Sequence, residues 1–218
     1  MSNPVLVVLG AGPGLGLAVA RRFGAEGYDV ALAGLSEESL APLGVALREE
    51  GIDTSLAAVD LSDPRGVTEL VTAIGEAKGR IDVLHFNPSA YREKDPLQLS
   101  VDELLADLQV GLTPLLPAVQ AARPFMTAGG RILVTGSAAA DKPWHGAASL
   151  GVQKAAVRNL VTSLDATLEP DGIRAVAVQI NGTLAREGAF SPGPVSAALH
   201  AAATRPDEGW TAHVAYDG

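Results

Sequence analysis

Seven short apolar runs, separated by stretches of helical period, constrain this chain more than any other feature. The runs are Val5–Leu9, Val30–Ala33, Ser55–Val59, Ile81–Phe86, Arg131–Thr135, Ala175–Ile180 and His213–Tyr216. Between them, residues 14–26, 37–50, 63–78, 100–127, 147–168 and 194–203 carry the spacing of helices. The apolarity of the runs is continuous rather than alternating, which indicates strands buried on both faces, as in a parallel sheet. Strand–helix alternation along the chain requires right-handed crossovers that place helices on both sides of that sheet. The expected fold class is α/β: a doubly wound parallel sheet of about seven strands, as one domain over residues 1–218.

Bulk properties narrow the partners. A chain of 218 residues with 47% hydrophobic content can bury one large core without metals or disulfides. There is no cysteine, which rules out a disulfide frame or a thiolate site and fits a cytoplasmic location. A formal net charge of -9 argues against a broad contact with nucleic acid. The opening segment lacks a basic region ahead of its short apolar run, and no apolar run reaches membrane length, so no membrane partner is expected. Asp63-Pro64 reads as a helix cap followed by proline at the first helical position. Ser36, with Ser39 and two glutamates, reads as another helix start. Gly111, Pro114 and Pro117 should kink or split the stretch 100–127.

The first run passes directly into Gly10-Ala11-Gly12-Pro13-Gly14-Leu15-Gly16, and a helical pattern follows. Small residues let the backbone turn tightly and approach a pyrophosphate, while the helix start offers free N–H groups and the positive end of its dipole. A tight strand–helix turn also calls for glycine. The position, after a strand and before a helix in an alternating chain, favours dinucleotide binding in a Rossmann-type sheet.

The spacing of Gly10, Gly14 and Gly16 resembles the short-chain dehydrogenase/reductase family, whose motif is Thr-Gly-x-x-x-Gly-x-Gly; Leu9 stands at the threonine position. Asp60-Leu61 resembles the family's adenine-contacting aspartate and its neighbour. Ile81–Ser89, with Asn87, is similar to the fourth strand and its Asn-Asn-Ala-Gly end. Gly130–Ser137 is similar to the fifth strand and its catalytic serine. Gly172-Ile173-Arg174 and Asn181-Gly182 resemble the sixth strand and its Pro-Gly turn, and Val214–Gly218 the closing strand. The similarity runs through essentially the whole chain.

The resemblance implies a nicotinamide cofactor held by Gly10, Gly14, Leu15, Gly16, Ser36, Asp60, Leu61, Asn87, Lys154 and Gly182. An acid at the end of the second strand would bind the adenine ribose and repel a 2′-phosphate. Gly34 stands there, and Leu35 stands where NADP-preferring relatives often carry arginine. The missing carboxylate favours NADP over NAD. Ser36 could donate to a phosphate, although capping the next helix is its readier role.

The family's chemistry uses a serine, a tyrosine, a lysine and an asparagine that holds a water-linked proton path. Ser137 and Lys154 match the serine and the lysine, but Leu150 occupies the tyrosine position and Gly111 the asparagine position. Lys154 would bond the nicotinamide ribose, against a plain reading as a solvated helix lysine. Ser137 would orient a carbonyl or cap its own turn. Tyr91, following the Asn87–Ala90 turn, is the first candidate for a replacement proton donor; otherwise it covers the adjacent helix. His145 reads more readily as a loop histidine, His85 as a core or edge residue, and Arg186 as a possible contact for a phosphate or carboxylate. Few residues separate Gly182 from the helix near Pro194, so a short loop and a shallow, open pocket are expected.

The leading expectation is an NAD(P)-dependent oxidoreductase acting on a small carbonyl or alcohol with an atypical acid. A catalytically inactive dinucleotide-binding relative, acting as sensor or partner, is the alternative; a non-redox cyclase, isomerase or lyase is the third reading. The resemblance also implies a homodimer or homotetramer through the fourth and fifth helices. Ala147, Ala148, Ala155, Ala156, Val157, Leu160 and Leu164 would supply that face, unless they pack on the chain's own sheet.

Overall fold

Aliphatic side chains with no polar face leave a strand nowhere to lie except between two layers. In β1 (Val5–Leu9) every residue is buried, and β2 (Asp29–Gly34), β4 (Val83–Phe86) and β6 (Arg174–Ile180) are nearly as apolar. The computed structural model describes residues 2–218 and pairs these strands with β3 (Thr54–Ala58), β5 (Arg131–Ser137) and β7 (His213–Tyr216). All pairs are parallel, in the order β3-β2-β1-β4-β5-β6-β7. The expected doubly wound sheet is therefore present. Strand order reverses between β1 and β4, whose carboxyl ends pair Leu9 with Phe86.

Helices α1 (Leu15–Gly24), α2 (Glu37–Glu49) and α7 (Pro192–Thr204) bury Phe23, Leu40 and Leu199 in the core on one face. On the other face, α3 (Pro64–Lys78), α5 (Leu115–Ala122) and α6 (Ala148–Leu168) bury Val71, Leu115 and Val161. The Ser36 side chain accepts from Ser39 N and Asp63 accepts from Arg65 N, so both expected caps form.

The stretch 100–127 breaks where glycine and proline foretold. Helix α4 (Val101–Gly111), started by a Ser100–Glu103 capping box, ends before Leu112, and α5 begins after Pro114. One expectation needs correction: taken together, Val101–Phe125 is long and apolar enough, by length and composition, to cross a membrane. Its apolar content has a local cause, since Leu115, Ala118 and Ala122 pack into the core beside α3.

Candidate active site

The turn after β1 is built around Gly10, whose φ of 78° favours a residue without Cβ. A Cβ on Gly16 would lie 3.1 Å from Ala11 Cα, so the turn closes tightly. A Cβ on Gly12 or Gly14 would meet nothing within 4 Å, which leaves the mouth of the turn open. No side chain caps the start of α1 and its first turn carries no acid. Bare amides and an open approach are what a pyrophosphate requires.

Beside this turn lies a cleft of about 440 Å³ lined by Gly10, Ala11, Gly34, Leu35, Asp60, Leu61 and Asn87, among others. It opens at the strand-order switch, where doubly wound sheets bind ligands. Asp60 accepts from both Ser62 N and Ser62 Oγ, which lowers its pKa and keeps it a carboxylate. Leu61 packs against the core. Asn87 Nδ2 donates to Gly10 O, 3.0 Å away, and so holds the glycine turn. Leu15 is buried in the core, and contributes its backbone rather than its side chain to the turn. Ser36 is occupied with its cap and lies outside the cleft lining. Among the described residues, Asp60 is the one charged side chain lining the cleft.

Lys154 extends from α6 into the sheet's carboxyl edge and is 5% exposed. Its Nζ donates to Pro88 O and to Thr135 O, each 3.2 Å away. Two carbonyls and burial hold the ammonium where a third N–H remains for a ligand. Burial pulls its pKa from 10.5 to about 8. Ser137 ends β5; its Oγ accepts from Ala139 N, so the capping role is real, and its own proton stays free to donate. A crevice beside it is shared by Ser137, Lys154 and Gln179.

Other candidates lie further out. Leu150 is half-buried on α6. Tyr91 is 63% exposed and makes no side-chain hydrogen bond. His145 is exposed and stacks edge-on against Trp144. Arg186 is exposed. Gly182 is exposed, although a Cβ there would fall 2.5 Å from the Phe190 ring. The loop after β6, between Ile180 and Pro192, is short, as expected, and its end is fastened to β7. Phe190 packs edge-on against Tyr216, whose hydroxyl donates to Ala189 O. Of the residues named for a self-association face, Ala147, Val157 and Leu164 are buried, and the last two belong to the chain's own core.

Two features escaped the sequence reading. Gln153 is fully buried and bonded on both sides of its carboxamide. Helical period was the available signal, since residue 153 shares a stripe with Val157, Val161 and Leu164. The second is a polar chain through the core. Thr135 Oγ1 donates to Asn87 Oδ1 at 2.8 Å, so His85 Nε2, 3.0 Å from that hydroxyl, is the donor to it.

The sequence profile of the short chain dehydrogenase family matches residues 4–187. This chain belongs to the short-chain dehydrogenase family. It is 32% identical over 174 residues to the meso-2,3-butanediol dehydrogenase of Serratia marcescens, covering 79% of this chain and 68% of that one. It is 29% identical to sulfoacetaldehyde reductase 2 of Chromohalobacter salexigens, over 81% of this chain and 71% of that one. Among solved structures, a short chain dehydrogenase from Burkholderia cenocepacia in complex with NADP superposes with a TM-score of 0.88 at 26% identity, over 100% of this chain and 97% of that chain. This member of the family thus shares the whole fold while carrying Leu150 and Gly111.

Proposed function

We propose that this short-chain dehydrogenase binds a nicotinamide dinucleotide, NADP in preference to NAD, and transfers hydride to or from a small carbonyl or alcohol in the cytoplasm, without a tyrosine at the proton-donor position. The supporting observation is the Lys154 ammonium, buried and fixed by Pro88 O and Thr135 O beside Ser137. Sheltering a cation costs stability, and groups held at such a cost cluster at functional sites. The uncapped α1 start and the cleft at the strand-order switch fit the pyrophosphate and the adenosine half. Relatives with NADP bound share the fold throughout.

When bound, the nicotinamide supplies or accepts the hydride. In the reducing direction the carbonyl carbon gains that hydride and the oxygen gains one proton. Ser137 Oγ–H would hold the oxygen in place, and the one free N–H of Lys154 would bond the nicotinamide ribose while its positive charge favours the developing alkoxide. The proton comes from Lys154 itself or from Tyr91, the candidate that the sequence singles out. Tyr91→Phe separates the two: unchanged kcat assigns the proton to Lys154, and a fall of a hundredfold or more assigns it to Tyr91.

Leu150 favours a second reading, in which the chain binds the dinucleotide and turns nothing over. Titration calorimetry with NADPH, followed by stopped-flow mixing with a panel of small aldehydes and ketones, decides between them. Heat of binding with cofactor oxidation supports the first reading, and heat without oxidation the second. The absence of any heat at millimolar NADPH and NADH overturns both.

A further inference from the structure

The Gln153 side chain has no exposure, and its carboxamide is bonded at both ends. Oε1 accepts from Ala90 N at 3.3 Å and from Ser89 Oγ at 3.4 Å, while Nε2 donates to Asp107 O at 3.1 Å. It therefore ties the turn after β4 to the last part of α4. The next residue, Lys154, bonds the preceding residue of the same turn through Pro88 O. Two consecutive residues of α6 thus grip three consecutive residues of one loop.

Gly111 makes this possible. A Cβ built there would fall 2.1 Å from Gln153 Cδ, 2.2 Å from Oε1 and 2.5 Å from Nε2. The glutamine carboxamide fills the volume that any side chain at 111 would enter. An asparagine at 111 and this glutamine rotamer exclude each other. A hydrocarbon of the same size would fill that space equally well, so bonds at both ends mark a group chosen for what it holds.

We infer that Gln153 is a positioning residue: its carboxamide enters the space vacated at Gly111 from the opposite helix, clamps the Ser89–Ala90 turn to α4, and thereby fixes the carbonyl against which Lys154 is aimed. The amide group missing from α4 is supplied by α6. This deepens the proposed reading, because it concerns the lysine on which that reading rests, but its test needs neither cofactor nor substrate.

Gln153→Met preserves the volume and removes the hydrogen bonds. In that variant the Ala90 amide should exchange with solvent at least tenfold faster. The Lys154 ε-methylene resonance, followed by NMR against pH, should titrate above the wild-type midpoint as water reaches the ammonium. Gly111→Ala should lower Tm by several degrees, and adding Gln153→Ala should recover most of that loss, since the methyl group and the carboxamide compete for one space. Wild-type exchange and titration in Gln153→Met would reduce the residue to a space filler and overturn the inference; additive Tm losses in the double variant would do the same. If Gly111→Ala does not fold, Gln153→Met alone decides. NADPH calorimetry on wild-type protein reports separately on the dinucleotide reading, so the two can fail independently.

Discussion

Position 150 lies one helical turn before Lys154, on the same side of α6. A phenol there would have its pKa lowered by the neighbouring ammonium and could give a proton to a bound carbonyl oxygen. Leucine offers no such proton, so Leu150→Tyr is expected to raise carbonyl reduction by about 10²-fold or more, the range that general-acid catalysis supplies. Steady-state NADPH oxidation measures it, and no gain would mean that the surrounding geometry no longer accepts the reaction. Lys154 carries its own pH signature. Its pKa is lowered from 10.5 to about 8 by burial. The ammonium, and with it the ribose contact, is therefore lost as pH rises through about 8, and kcat/KM should fall above that value. Stability moves oppositely. Between about 8 and 10.5 the unfolded chain holds the proton that the folded chain has released, so unfolding free energy rises with pH across that window by about 3 kcal/mol. Lys154→Met should flatten that rise in urea melts recorded from pH 7 to 11.

Strand β4 is where an element's packing and its chemistry meet. His85 is wholly buried, with Nε2 on Thr135 Oγ1 and Nδ1 without a partner. Burial lowers its pKa from 6.5 to about 3. The unfolded chain takes up that proton first as pH falls, so stability declines progressively from about pH 6.5 toward 3. His85→Leu should remove this slope in urea melts taken from pH 4 to 7, at the cost of leaving Thr135 with one bond fewer. The sequence marks Ile81–Phe86 as a strand, of which Val83–Phe86 forms β4 with His85 inside it, because a mainly apolar run reports burial on both faces. The same pattern cannot show which strand lies alongside which, so the His85–Thr135–Asn87 chain emerges only once β4 and β5 pair. Likewise Ser137, Lys154 and the glycine turn are legible as local motifs. The Gly111–Gln153 complementarity is not, since it joins two helices 42 positions apart. At the β2 end, Leu35 is 77% exposed on the cleft wall, and the described cleft lining holds no base to meet a 2′-phosphate. Leu35→Arg is expected to tighten NADPH binding about tenfold over NADH, an effect that fades with added salt; equal affinities would show that the adenosine ribose lies elsewhere.

On the scale of the whole molecule, the two faces of the sheet end differently. The face bearing α1, α2 and α7 closes over its own core. On the other, α4 and α6 leave Val101, Leu105 and Val152 exposed, with Leu97 and Trp144 alongside in the flanking loops. Adjacent to Trp144, a cleft of about 470 Å³ is lined mainly by apolar residues, including Pro143, Val152 and Ala155. Of the α6 residues expected to meet a partner, Ala155 is exposed and Ala156 and Leu160 are partly so, while Val157 and Leu164 turn inward. Helical geometry separates these two sets: one stripe packs on β5 and β6, the neighbouring stripe faces outward. Large exposed side chains such as Leu97, Leu105 and Trp144 beside this apolar cleft favour pairing with a second copy of this face. The expected outcome is a dimer by light scattering, and Val152→Glu with Leu105→Glu should shift it to monomer. Because Lys154 and Ser137 lie at the other edge of α6, away from Val152, the monomer should keep its NADPH affinity within about threefold; a greater loss would tie cofactor binding to assembly.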